Sequence, residues 1–101
     1  MKVNVKINSV HFDADKKLIT FIEERVNKLA NYYDKIIDGE VVLKVENSND
    51  TENKVAEIKL LIPGNDLFAK KQCKSFEEAT DTAVEALRRQ LKKHKEKLRK
   101  A

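Results

Sequence analysis

The side chains best suited to binding chemistry are the lysines and arginines near the C-terminal end of the sequence. Residues 84–101 hold eight Lys and Arg against two Glu, whereas residues 1–83 hold 13 basic and 15 acidic side chains. The overall charge of +4 over 101 residues therefore conceals a +6 segment joined to a body of −2. A cationic segment of this kind indicates a polyanionic partner, which can be RNA, DNA or an anionic membrane.

These basic side chains form two rows if the segment is helical. A helix from Ser75 to the end would be about 40 Å long at roughly 1.5 Å per residue. One row holds Arg88, Lys92, Lys95 and Arg99, and the other holds Arg89, Lys93, Lys97 and Lys100. Like charges four residues apart each destabilise a helix by about 0.2–0.5 kcal/mol, so the pattern favours phosphate binding over a merely solvated tail. The tail remains the alternative, because cations in the last turn also complement the helix dipole.

A second, weaker candidate for phosphate binding is a group of three lysines in the predicted fourth strand. Lys70 and Lys74 share one face, and Lys71 lies beside them. Phe68 is on the same face and could stack on a nucleobase, although packing near a strand end is the favoured interpretation. A membrane surface is a poorer match for the chain, because bulky apolar residues become scarce where the positive charge is greatest.

No combination of residues predicts an enzyme. His11 and His94 are far apart in the chain, and Cys73 alternates with apolar residues in a way typical of a small buried side chain. The sequence lacks zinc-ligand spacing, a glycine-rich phosphate loop and a Ser/His/Asp order. We therefore expect no catalysis, no cofactor, no metal and no small-molecule substrate.

Cysteine usage and hydropathy predict a cytoplasmic protein. The single cysteine excludes an intramolecular disulfide and fits a reducing compartment. No apolar run reaches the roughly 18 residues of a membrane span, and the first ten residues lack the continuous apolar stretch of a signal peptide.

The spacing of apolar residues predicts six elements in the order β-α-β-β-β-α. Strands are expected at residues 2–7, 40–46, 54–62 and 67–74, and helices at 16–33 and 75–101. Asp15 is the expected N-cap of the first helix, and Ser75 opens a capping box for the second. The predicted fold class is α+β, a two-layer sandwich in which two helices cover one face of a four-stranded mixed sheet.

Chain connectivity predicts the strand directions. A right-handed crossover through the first helix makes the first two strands parallel, and the other strands follow as an antiparallel meander. We expect one domain over residues 1–101, with a basic helical extension at about 88–101. The free protein is expected to be monomeric.

Several segments resemble a known family. They are EVVLKVE in the second strand, Lys28-Leu29 and YYDKI at the end of the first helix, and RQLKKHKEKL in the second helix. Together they resemble the ribosome hibernation factor family, which includes the short and long hibernation promoting factors and the cold-shock ribosome-associated inhibitor. The resemblance covers essentially the whole chain, is closest to the short form, and includes the predicted order of elements.

The resemblance implies a non-enzymatic inhibitor of translation. Members of the family bind the small ribosomal subunit in the channel for mRNA and tRNA and keep ribosomes inactive in stationary phase or stress. The rRNA contacts that it implies here are Lys28, Arg89, Lys93, Lys95 and Lys97. The helix geometry adds Arg88, Lys92, Arg99 and Lys100, and the weaker candidates are Lys70, Lys71 and Lys74.

Two features depart from the family pattern. Ser75-Phe76-Glu77 stands where the family commonly has Asp-Met/Leu-Tyr, so the contact of that Tyr is not expected here. Nothing after the last helix corresponds to the ribosome-dimerising module of the long form or to the extended tail of the cold-shock inhibitor. We therefore expect the chain to silence ribosomes without itself joining them in pairs.

The main alternative is a general double-stranded RNA-binding module. Such modules share a related architecture but dock through a basic N-terminus of the second helix. Here that end carries Glu77, Glu78 and Asp81, and the positive charge lies at the other end. A regulator that binds protein is a further possibility, but no apolar surface patch in the sequence supports it.

Overall fold

A computed structural model describes residues 4–10, 13–46 and 52–100, with side chains as far as Lys97. It contains six elements in the predicted β-α-β-β-β-α order. These are β1 (Asn4–Ser9), α1 (Lys16–Tyr32), β2 (Asp38–Val45), β3 (Lys54–Ile62), β4 (Asn65–Cys73) and α2 (Phe76–Lys100). The predicted start of the first strand, His11 and most of the loop between β2 and β3 lie outside the described residues.

Both helices begin at the predicted caps. The Asp15 side chain accepts a hydrogen bond from the Leu18 backbone N–H at 2.8 Å, and Ser75 Oγ accepts one from the Glu78 N–H at 3.1 Å. Each bond satisfies a backbone donor that the first turn of a helix leaves unpaired. At the other end of α1, the Tyr33 N–H donates to the Leu29 carbonyl at 2.8 Å and closes the helix.

The sheet is mixed and has the order β1-β2-β3-β4. β1 and β2 are parallel, whereas β2, β3 and β4 pair antiparallel. This confirms the predicted fold class and strand directions. Gly64 has φ of +78°, a conformation that favours glycine, and it makes the tight turn between β3 and β4 possible.

β1 ends at Ser9 rather than at residue 7, because Asn8 and Ser9 pair with Val42 and Leu43 of β2. The predicted starts of β2 and β4 are also wrong by two residues. β2 begins at Asp38 rather than at residue 40, because Asp38 and Gly39 pair with Leu61 and Leu60 of β3. β4 begins at Asn65 rather than at residue 67, since Asn65 pairs with Ile62. In both places a Gly-containing segment has the local signature of a turn, but pairing with the neighbouring strand extends the sheet into it.

One hydrophobic core lies between the sheet and the two helices. Alternate residues of β3, among them Ile58 and Leu60, are fully buried. α1 contributes Ile22 and Val26 to the same cluster, and α2 contributes Leu87. Because both helices contribute side chains to one core, they cover the same face of the sheet, as predicted.

The opposite face of the sheet is open and carries balanced charge. Lys44 Nζ lies 2.9 Å from a Glu57 carboxylate oxygen on the neighbouring strand, and Lys59 Nζ lies 3.7 Å from Asp66. Phe68 lies on this face with 51% of its surface exposed, so it is not packed away at the strand end. Among the described residues, no helix is long and apolar enough to cross a membrane.

Candidate nucleic-acid interface

The two helices run in the same direction, so their C-terminal ends lie at the same end of the molecule. Arg25 Nε of α1 contacts Asp81 of α2 at 2.9 Å. Further along both helices, the Arg88 guanidinium carbon lies 5.8 Å from the centre of the Tyr32 ring. A groove between the helices connects these two points. The sequence positions of the contacts rise together, which establishes the parallel arrangement.

The charge changes sign along α2. Its first ten residues contain Glu77, Glu78, Asp81 and Glu85, whereas its last thirteen contain eight basic side chains and one Glu. The Asp81–Arg25 pair further neutralises the groove at the N-terminal end. The cationic character is therefore confined to one end of the molecule. We call this end the basic end: residues 88–100 of α2 together with Lys28 and Tyr32 of α1.

Two members of the first row, Arg88 and Lys95, contact the last residue of α1. Lys95 Nζ lies 4.5 Å from the centre of the Tyr32 ring, on which Arg88 also lies. Lys95 Nζ also donates a hydrogen bond to the Tyr32 carbonyl at 3.3 Å. Lys28 lines the same groove as Tyr32 and Arg88. The structure thus brings Arg88 and Lys95 together at the Tyr32 ring, and Lys28 lines the groove beside them.

The second row lies towards β4 and solvent. Arg89 Nε approaches Glu85 only to 4.0 Å, and 77% of its side chain is exposed. Lys93 and Lys97 are exposed, as is Lys92 of the first row. The neighbouring Gln90 side chain donates a hydrogen bond to the Phe68 carbonyl at 3.0 Å and fastens this side of α2 to the edge of the sheet. These cations are accessible to an incoming phosphate.

The remaining predicted residues divide into two groups. The backbones of Arg99 and Lys100 belong to α2, but their side chains lie outside the described part of the structure. Lys70 is opposite Glu57 on the open face of the sheet, and Lys71 is opposite Ala56. Both belong to β4, and Lys74 follows it beside the acidic start of α2. The three weaker candidates are therefore not part of the basic end, and Lys70 faces Glu57 rather than another cation.

Aromatic contacts at the basic end were not predicted as part of the site. The Tyr33 and His94 rings meet edge to face, with centroids 5.7 Å apart. Together with Tyr32, they extend the packing of α2 beyond Leu91, which is fully buried. The YYDKI segment identified these tyrosines as part of a family resemblance. Their role as supports of the second helix depends on contacts between distant parts of the chain.

The described residues offer little for metal or nucleophilic chemistry. No group of three His, Cys, Asp or Glu side chains among them is arranged to hold a metal ion. Cys73 is partly buried against the core, and its Sγ lies 4.0 Å from Thr82 Oγ1. The exposed cations of the basic end can attract a polyanion and form charge-assisted hydrogen bonds with it.

Residues 5–99 match the family described as sigma 54 modulation protein / S30EA ribosomal protein. The chain belongs to this family. A ribosome hibernation promoting factor of Pseudomonas putida is 34% identical over 95 residues, which cover 94% of this chain and 89% of that protein. The ribosome hibernation promoting factor of Escherichia coli strain K12 is 32% identical over 99 residues, covering 98% of each chain.

The family is one of ribosome-associated hibernation factors rather than enzymes, which confirms both the resemblance and the prediction of a non-enzymatic protein. A longer relative, the ribosome hibernation promotion factor of Bacillus subtilis, is 30% identical over 98 residues, and the match covers only 50% of its length. About half of the Bacillus subtilis protein therefore lies outside the region that matches this chain.

Solved structures support the same fold. A ribosomal subunit interface protein from Coxiella burnetii superposes with a TM-score of 0.81 at 16% identity, covering 92% of this chain and 98% of that one. The N-terminal domain of Protein Y from Thermus thermophilus gives a TM-score of 0.76 at 22% identity, covering 93% and 99%. At these identities the likeness establishes the architecture alone.

Proposed function

We propose that this protein inhibits translation by binding the small ribosomal subunit in the channel for mRNA and tRNA. There it keeps ribosomes inactive during stationary phase or stress. The proposal is supported by relatives that are named ribosome hibernation promoting factors and match nearly the whole chain. The single observation that carries the mode of binding is the confinement of positive charge to the basic end.

The rRNA is bound mainly through its phosphates. The side chains that present exposed cationic groups are Lys28, Arg88, Arg89, Lys92, Lys93 and Lys97. Arg99 and Lys100 extend the same segment by sequence. Each phosphate that they neutralise releases condensed counterions, so affinity falls steeply as salt rises. Lys70, Lys71 and Lys74 contribute less, because they lie outside the basic end: Lys70 is opposite Glu57, and Lys74 is beside the acidic start of α2.

Inhibition follows from occupancy of the channel. A rigid domain whose helices face the rRNA leaves no room for mRNA or tRNA at the same place. The open face of the sheet carries paired charges rather than a cationic surface, so we orient this face away from the rRNA. In this role the protein acts as a monomer in the cytoplasm and needs no cofactor.

A salt series of small-subunit binding tests the proposal. About six phosphate contacts give a slope of log affinity against log salt of about −4 to −5. Replacing Arg89, Lys93 and Lys97 together by Gln should make this slope shallower by about 2 while the fold persists. The matched control replaces the exposed Lys6, Lys16 and Lys17 by Gln, which removes the same charge elsewhere. Equal losses in the two triple variants would contradict binding through the basic end.

Competition experiments test the location. Binding in the channel predicts that mRNA and initiator tRNA displace the protein from small subunits. The alternative, a general double-stranded RNA-binding module, predicts equal affinity for an arbitrary RNA duplex and no competition by tRNA. Observing that pattern would refute the proposed channel while leaving the phosphate contacts in place.

A further inference from the structure

We infer that Lys95 is a positioning residue, which fixes the basic end of α2 on the end of α1 and does not itself bind phosphate. This inference rests on the proposed function for its consequence in rRNA binding. It concerns a residue that the family resemblance places among the rRNA contacts. The structure distinguishes Lys95 from its neighbours by burial and by two separate contacts.

The first contact is with the C-terminal end of α1. Tyr32 is the last residue of this helix, and α1 has no basic residue in its own last turn. The negative end of the helix dipole and its unpaired carbonyls therefore lack a local cation. Lys95 supplies one from the other helix, 63 residues later in the chain, by donating to the Tyr32 carbonyl at 3.3 Å.

The second contact is with the ring of the same residue. Lys95 Nζ lies 4.5 Å from the Tyr32 ring centre, within the range of a cation–π interaction. The side chain is half-buried, whereas Lys92, Lys93 and Lys97 on the same segment are exposed. The Lys95 ammonium thus contacts both the backbone carbonyl and the ring of Tyr32.

These contacts matter because α2 has little other support at this point. Leu91 is the last fully buried side chain that the structure describes in α2. Beyond it, the described contacts with the end of α1 are those of Lys95 with Tyr32 and of His94 with Tyr33, the residue that follows the helix. Their effect is to hold the free cations of the segment in one orientation. Preorganised ligands bind more tightly because less freedom is lost on binding.

The free protein provides a test that does not involve the ribosome. The Lys95 side-chain methylene protons next to Nζ should be shifted upfield by the Tyr32 ring and should show nuclear Overhauser effects to it. Replacing Lys95 by Met, which keeps the aliphatic stem, should lower Tm by about 2–5 °C. The matched variant Lys93→Met removes an exposed charge two residues away and should not lower Tm, because it also removes the like-charge pairs with Arg89 and Lys97. Random-coil shifts for Lys95 and equal Tm values for the two variants would overturn the inference.

Small-subunit binding separates a positioning role from a direct phosphate contact. Lys95→Met should weaken binding about fivefold without changing the salt slope, because no phosphate contact is lost. Lys93→Met should make the slope shallower by about 0.7–0.9. A slope change of that size for Lys95→Met would instead make Lys95 a phosphate ligand.

A double-mutant cycle with Tyr32 completes the test. In a Tyr32→Leu background, Lys95→Met should cost less affinity than in the wild type, since part of the interaction is already lost. Additive losses would contradict a role through Tyr32. If none of the proteins binds small subunits, the proposed function fails, whereas the proton shifts and Tm values still decide whether Lys95 positions α2.

Discussion

Thr80 offers a direct test of how the core beneath α2 is built. Its side chain is fully buried, and its Oγ1 has no hydrogen-bond partner among the described residues. An unpaired buried hydroxyl costs about 1–3 kcal/mol of folding free energy. Val has nearly the same shape and a similar helix propensity, so Thr80→Val removes this cost without creating a cavity. We expect the free energy of unfolding to rise by about 1–3 kcal/mol.

The assay is calorimetry together with urea unfolding. For a domain of this size, Tm should rise by about 4–8 °C for each kcal/mol gained. Thr82 provides the matched control, because it is exposed and its hydroxyl donates to the Glu78 carbonyl at 2.8 Å. Thr82→Val should change stability by less than about 0.5 kcal/mol. An unchanged or lower Tm for Thr80→Val would refute the reasoning, since it would mean that the hydroxyl has a partner.

Three further predictions concern contacts between elements. Arg25 and Asp81 are partly exposed, so a double-mutant cycle by urea unfolding should give a coupling of only about 0.2–1 kcal/mol that weakens in salt. The hydrogen bond and charge of Glu57 raise the pKa of Lys44; Glu57→Gln should lower that pKa in an NMR titration. In the wild type the stabilising effect of the pair is present below the ordinary lysine pKa and is lost as pH rises through the raised value. Gly64→Ala should lower Tm by several degrees, because its φ of +78° costs about 1 kcal/mol for a residue with a side chain.

The sequence carries most of the information about the elements, because their signals are local. The caps at Asp15 and Ser75 and the alternation in β3 are visible within a few residues, and the structure confirms them. Two of the boundary errors occur at Asp38 and Asn65, where a local turn signal competes with pairing to another strand, and a third occurs at Ser9, where pairing with β2 extends β1. Such pairing depends on residues more than a few positions away, so local patterns cannot reveal where it ends.

The sequence shows which cations α2 carries and how they are spaced, but not which residues of α1 they contact. Helical periodicity places the cations of α2 in two rows, and the exposure of Arg89 and Lys93 agrees with this. The sequence does not show that Lys95 contacts α1 while Lys92 is exposed, since the two residues occupy similar positions in a helical projection. Only the position of Tyr32 at the end of α1 distinguishes them, and that depends on how the two helices pack.

The order of strands along the sheet has a consequence for how the molecule opens. Neighbours in the sheet are neighbours in sequence, so β2, β3 and β4 can pair without β1. β1 lies at an edge and none of its residues is fully buried, whereas β3 is central and largely buried. Detachment of β1 should therefore be a local event of low free energy that leaves the α2 docking surface intact. Native-state hydrogen exchange should show β1 amides exchanging through this opening while β3 amides exchange only on global unfolding. Equal protection of the two strands would mean that the domain opens as a single cooperative unit.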